Sequence, residues 1–155
     1  KELVDINVLM RDLVHLAAAD ARLHSVDLQF KLQPDLPEVY CDPVQIQQVA
    51  LNLIRNAIDA MLEIDCVHGR QVTLHTAQRG DDLEVSVVDL GTGVSQSNES
   101  IVFSPFHTTK VEGMGMGLSI CRSIMQEHGG DLNFFNNEGA GCTFYFRLPA
   151  GDEDE

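Results

Sequence analysis

The sequence predicts an α+β fold, a two-layer sandwich in which one mixed sheet is covered on one face by about three helices. Three observations predict it. Apolar residues recur at helical spacing in three separate stretches, opening near Asp5, Asp42 and Met116. Alternating apolar and polar residues mark two strand pairs, Gln71–Gln78 with Leu83–Asp89 and Leu132–Asn136 with Cys142–Leu148. Strands and helices hardly alternate along the chain, which disfavours a wholly parallel sheet. The face away from the helices carries more polar residues and is expected to be partly exposed.

Asp5 caps the first expected helix, which buries Ile6, Leu9, Leu13 and Ala17 and ends near Arg22. Val26–Leu32 alternates as a half-exposed strand. Pro34 and Pro37 then break the chain before a short extended piece at Val39–Cys41. Asp42 followed by Pro43 reads as an N-cap and first-turn proline opening the central helix. In that helix, Ile46, Val49, Ala50, Leu53, Ala57 and Met61 form the buried stripe. Asn52, Asn56, Asp59 and Glu63 line up as a second row. Asparagine is a mediocre helix former, so the row is either two chance surface amides or a ligand face; the helix alone leaves both open.

After a loop around Gly69, the first strand pair turns at Arg79-Gly80-Asp81. Leu83, Val85 and Val87 face one way, Glu84 and Ser86 the other, and the strand ends at Asp89 just before Gly91 and Gly93. Ser95–Glu112 has no clear periodicity. A helix from Met116 to His128 turns Leu118, Cys121 and Met125 inward and is stopped by Gly129-Gly130. The second strand pair closes the domain. There are no internal repeats.

Composition bounds the function. At 155 residues, 44% hydrophobic and 22% charged, the chain can form one domain with a core. No apolar run approaches the roughly 20 residues of a membrane span. A start at Lys1 without a signal-peptide pattern suggests a fragment of something longer. Cys41, Cys66, Cys121 and Cys142 show neither a CxxC pair nor zinc spacing, and read as reduced, mostly packed thiols of a cytoplasmic protein. The net charge of −14 argues against nucleic acid as a partner. A nucleotide phosphate would have to be met by a metal ion, backbone N–H groups and local cations. Asp152–Glu155 reads as a solvated acidic tail or linker start at 151–155, after a domain spanning 1–150.

Nine of the twelve glycines fall between Gly91 and Gly141, seven of them in clusters at 89–93, 113–117 and 139–141. Alternate glycines destroy regular structure and persist where backbone turns sharply or approaches something closely. The middle cluster, Gly113-Met114-Gly115-Met116-Gly117, runs into a helix whose first N–H groups suit an anion. One such cluster is as well explained by a plain loop. Three clusters beside an asparagine-bearing helix face are not. The phosphate loops GxxxxGK[ST] and the post-strand GxGxxG are absent.

Together the pieces resemble, in order and over almost the whole chain, the ATP-binding domain of bacterial sensor histidine kinases, within the wider GHKL superfamily. NLIRNAIDAM resembles its asparagine box, DLGTG the first glycine box, FSPFHTTK the phenylalanine box, GMGMGLSICRSI the second glycine box and GAGCTFYFRLP the closing strand. The SICRSI continuation is most similar to oxygen- and aromatic-sensing kinases with PAS sensor domains. The resemblance implies a Bergerat-type ATP-binding fold with ATP and Mg²⁺ as cofactors. Asp89 would accept a hydrogen bond from the adenine amine, and Gly91 and Gly93 would let backbone lie against the base. Asn56 would give an amide oxygen to Mg²⁺, with Asn52 facing the phosphates and Asp59 lower in the pocket. Thr108, Thr109 and Lys110 would belong to the nucleotide site, Lys110 as a point charge on the phosphates. Gly113, Gly115 and Gly117 would cradle them ahead of Leu118, and Thr143 would sit near the adenine floor. Phe103 and Phe106 would anchor a lid spanning Ser95–Glu112 that is poorly ordered without nucleotide. Leu90, in place of a polar residue, and His107, in place of an aromatic, depart from the family pattern.

ATP-hydrolysing members of the superfamily carry a Glu one turn before the magnesium Asn as general base. Here that position is Asn52, an amide that cannot accept a proton at neutral pH. The resemblance therefore implies a kinase, with catalysis resting on Asn52, Asn56 and Lys110. The alternatives are an ATP-driven conformational clamp or a non-catalytic ATP-sensing docking module. None of His15, His24, His68, His75, His107 and His128 is followed by the family's H-E-x-x-P pattern. The phosphoacceptor is expected on a separate dimerisation domain of the same parent, with a response regulator downstream. With no long heptad segment, the domain alone is expected to be monomeric.

Overall fold

The computed structural model describes residues 1–62, 69–91, 93 and 117–151. Helix α1 (Ile6–Leu23) begins where Asp5 Oδ1 accepts the N–H groups of Asn7 (2.9 Å) and Val8 (3.4 Å). It buries the four expected residues together with Met10 and Ala21. The central helix α2 (Pro43–Leu62) is capped by Asp42, whose Oδ1 accepts from Val44 (3.0 Å) and Gln45 (3.3 Å). All six residues of its expected stripe are buried, and so are Ile54 and Ile58. The buried arc is wider than a one-sided stripe because α2 packs against α1, against α3 (Gly117–Glu127) and against the sheet.

The sheet has five strands in the order β2 (Asp27–Leu32), β4 (Gln71–Arg79), β5 (Asp82–Val88), β7 (Cys142–Pro149) and β6 (Asp131–Asn136). β2 runs parallel to β4 and every other pairing is antiparallel, so the sheet is mixed, as expected. The parallel step follows from topology: α2 lies between β2 and β4 in sequence and carries the chain across the covered face. Leu74, Val85, Val87, Phe146 and Leu132 point into the core beneath the helices.

The opposite face is mostly polar, with Phe135 and Tyr145 in ring contact on it. Glu84 pairs with Arg147 (3.0 Å) and Arg79 (3.5 Å), and Arg147 lies 5.2 Å from the centre of the Tyr145 ring. Such a face needs no covering helix.

One element escapes the sequence patterns. β1 (Glu2–Val4) pairs antiparallel with β3 (Val39–Cys41) in a separate two-stranded sheet. Three residues are too few to show alternation, so only the partner strand makes the piece visible.

Candidate functional site

The candidate site lies where β5 leaves the sheet, under the second half of α2 and beside the start of α3. Asp89 is the first residue past β5, and its side chain is buried at 3% exposure. Its N–H donates to the Cys142 carbonyl (3.0 Å), adding one step to the β5–β7 ladder. Its Oδ1 accepts from the N–H groups of Gly91 (2.8 Å) and Cys142 (3.2 Å). Two main-chain donors on one carboxylate oxygen fix the side-chain rotamer, and charge-assisted bonds of this kind are the stronger ones. Burial, and after it the negative charge of Asp89, push the neighbouring Cys142 thiol up to about 12.

Gly91 is needed for a reason the sequence does not show. A Cβ there would lie 2.8 Å from the carbonyl oxygen of Ala60 on α2. The missing side chain thus lets the strand exit pass directly against the helix that carries the asparagines. Leu90, between them, donates its N–H to Met61 Sδ (3.2 Å), a second tie between strand exit and helix. An apolar residue suits that position because Leu90 packs on the core.

On α2, Asn52, Asn56 and Asp59 are half-buried on one face, as the spacing predicts. The Asn52 amide nitrogen donates to the Cys121 sulfur of α3 (3.4 Å), which ties the two helices together behind the row. Burial raises the Cys121 thiol above its ordinary value, and the Asn52 bond lowers it in part. Gly117 opens α3 and Leu118 packs partly against the core. An open groove of about 460 Å³ between α2 and α3 follows the same row toward the helix start, past Gln45 and Gln48.

Thr143 is placed differently from its neighbours in the site. It pairs with Val88, whereas Asp89 lies opposite Cys142, so pleat alternation puts Thr143 on the face away from Asp89. Its hydroxyl donates to Asn137 Oδ1 (2.6 Å) and reaches Asp89 only through that residue. Cys142 shares the Asp89 face. Gly93 has φ +77°, and a Cβ on it would lie 2.8 Å from Asn136 Oδ1.

The structure thus places Asn52, Asn56 and Asp59 on one face of α2 and ties Asn52 to α3 four residues past Gly117. It packs Gly91, hydrogen-bonded to Asp89, against Ala60 of the same helix, with Thr143 on the other face of the sheet. Thr108, Thr109, Lys110, Gly113 and Gly115 lie outside the described residues, as do Cys66, Glu63, Phe103, Phe106, His107 and the expected lid. Sequence reasoning passed over Asn137, and read Cys121 and Cys142 as packed thiols, which they are, without placing them beside the site. Asn137 carried a signal, an asparagine at a glycine-rich turn; the cysteines carried none, since packed thiols look alike in sequence.

Among the described residues no three His, Cys, Asp or Glu side chains cluster to hold a metal. The donor set nonetheless fits Mg²⁺, a hard ion held by one or two protein oxygens with phosphates and waters completing its shell. Asn56 and Asp59 offer such oxygens. No described helix is long and apolar enough to cross a membrane.

Comparison with known proteins agrees with this geometry. Residues 41–152 match the family model of histidine kinase-, DNA gyrase B- and HSP90-like ATPases. The sensor protein FixL of Bradyrhizobium diazoefficiens is 41% identical over 99% of the chain, which spans 30% of FixL's length. The nucleotide-free catalytic domain of histidine kinase ThkA superposes with a TM-score of 0.82 at 32% identity, covering 97% of both chains. ThkA has also been solved in complex with response regulator protein TrrA. Full-length ShkA in complex with AMPPNP aligns with a TM-score of 0.81 at 25% identity, over 96% of this chain and 31% of ShkA. The chain spans about a third or less of the curated relatives it matches. It belongs to the histidine kinase-, DNA gyrase B- and HSP90-like ATPase family and, within it, is a histidine kinase catalytic domain of the two-component sensor type.

Proposed function

We propose that the domain binds Mg-ATP and donates its γ-phosphoryl group to a histidine on a separate dimerisation and phosphoacceptor domain of the same parent kinase. The observation that carries this reading is the buried Asp89 carboxylate, held by two backbone N–H groups at the end of β5. A fixed acceptor of this kind suits the exocyclic amine of adenine and opposes the oxygen that guanine carries there. Asn52 and Asn56 sit one turn apart on one half-buried face of α2, with Asp59 a further turn along, and in this reading that face meets the phosphates. Mg²⁺, when bound through Asn56, would neutralise phosphate charge in an acidic domain. Lys110, Thr108, Thr109, Gly113 and Gly115 complete the phosphate side in this reading.

Phosphoryl transfer needs positioning and charge neutralisation more than covalent participation by the protein. Asn52 supports transfer over hydrolysis: an amide that donates to Cys121 is not a base that could activate water. The nucleophile then comes from outside the chain, and the phosphorylated histidine passes its group to a response regulator, as the pairing of ThkA with TrrA suggests by kinship.

The test is a transfer assay with γ-labelled ATP, Mg²⁺ and the parent's phosphoacceptor domain. Label on the acceptor that survives alkali and is lost in acid, and that needs this chain, is the expected result. Label released only as inorganic phosphate, with none on the acceptor, would contradict transfer.

A further inference from the structure

We propose that Asn137 is a positioning residue for base recognition, holding Asp89 in register with its ligand from behind the sheet. The proposal rests on the reading of Asp89 as the group that meets the adenine amine. The strand order explains why a brace is needed. β5 ends at Val88, and the Asp89 N–H makes the last ladder bond, to the Cys142 carbonyl. Past that point Leu90 ties the exit to Met61 and the Asp89 side chain holds the Cys142 N–H, but the Asp89 carbonyl has left the ladder and needs a partner of its own. Asn137, just after β6, supplies the donor: its Nδ2 reaches the Asp89 carbonyl (3.0 Å) and the Ala140 carbonyl (3.1 Å).

The amide orientation is over-determined. Two carbonyl acceptors require the NH₂ end, and the Oδ1 end accepts the Thr143 hydroxyl at 2.6 Å. The Asn137 main-chain N–H also donates to the Gly141 carbonyl (3.0 Å), so the residue is fixed at both ends. Gly141 closes the arrangement, because a Cβ there would overlap the Asp89 carbonyl. One side chain thus joins the β5 exit, the β6–β7 turn and β7. Thr143 gains a role by the same geometry: it orients Asn137 and does not itself touch the base-facing side.

A positioning role has a signature that general damage lacks. A hydrogen bond is directional, so a small pivot of Asp89 weakens reading of the exocyclic amine and leaves contacts to ribose and phosphates in place. The experiment is calorimetric titration of the chain with Mg-ATP and with Mg-purine riboside triphosphate, which lacks only that amine. The wild type is expected to prefer ATP by about tenfold or more. Asn137→Ala should lower that preference by about tenfold, with purine riboside triphosphate affinity changed by less than about twofold. Thr143→Val, which removes the orienting hydroxyl and keeps the shape, should lower the preference by about threefold. It decides the matter if Asn137→Ala fails to fold.

Equal weakening of both nucleotides, or a retained preference in the variants, would overturn the positioning role while leaving the Asp89 reading intact. A wild type without preference for ATP would overturn both.

Discussion

The two ends of the site are built differently. At the base end, Asp89 is buried and tied by main-chain donors, and Asn137, Thr143 and Gly141 stand behind it in one hydrogen-bonded unit. At the phosphate end, among the described residues, Asn52, Asn56 and Asp59 stand half-buried on one helix face, with α3 starting beside them at Gly117. The difference shows how one small domain divides its labour. The Asp89 end is set by the fold itself, so in the proposed reading selectivity for adenine would cost little reorganisation on binding. In the same reading the other end is a row of polar side chains on one helix face, to be completed by a ligand that brings its own charge and its own metal ion.

Four sets of measurements would break or sharpen this contrast. The largest effect is expected for Asp89→Asn. Exchanging the acceptor for a mixed amide should weaken Mg-ATP binding about 100-fold by calorimetry, since hydrogen bonds to charged groups are the strong ones. An unchanged affinity would mean that the base is read elsewhere.

Two glycines in the same turn provide the next contrast. Both Gly141 (φ +87°) and Gly139 (φ +92°) have left-handed backbones, but a side chain at Gly141 would also meet the Asp89 carbonyl, whereas Gly139 faces open space. Gly141→Ala should cost roughly 3 kcal/mol or more in urea unfolding, and Gly139→Ala about 1 kcal/mol. Equal costs would show that strain alone, and not the packing of the turn on Asp89, sets the requirement.

At the phosphate end the expectation reverses. Asn52→Ala should change stability by less than about 1 kcal/mol, because it removes one weak bond to a thiol on a half-exposed face. It should still weaken Mg-ATP binding about tenfold by titration. Asn52→Glu restores a possible base, and is expected to raise phosphate release in a coupled assay.

The last contrast is in alkali. Burial, aided by the charges of Asp42 and Glu2, raises the Cys41 thiol from 9.0 to about 11, and burial with Asp89 raises Cys142 to about 12. Folded values above the unfolded one mean that the stabilisation is fully present below pH 9 and is lost as pH rises toward 11 to 12. Urea midpoints measured from pH 8 to 11 should fall for the wild type and fall less for Cys142→Ala. The same burial should leave Cys41, Cys121 and Cys142 slow to alkylate at pH 8 until the chain unfolds, as peptide mapping would show.

Much of this architecture is legible in the sequence because period and capping carry it. Asp5 and Asp42 announce their helices, and Leu83, Val85 and Val87 mark the core face of a central strand. Asp89 and the Asn52–Asn56 row stand out because their residue types conflict with their surroundings. What stays hidden depends on neighbours distant in sequence. The close pass of Gly91 on Ala60, the thiol behind Asn52 and the brace of Asn137 on Asp89 each join elements that only the fold brings together. Thr143 shows the limit most clearly, since a single step of strand register decides which face it takes.

The central claim is that the domain holds Mg-ATP for transfer and keeps it from water. Phosphorus NMR of Mg-ATP mixed with the chain, with Asp89→Asn as control, tests it most directly. Shifted or broadened phosphate lines for the wild type, little inorganic phosphate over hours, and unperturbed lines for the variant are the predicted result. Rapid growth of inorganic phosphate, or lines that the wild type leaves untouched at substantial protein concentration, would contradict it.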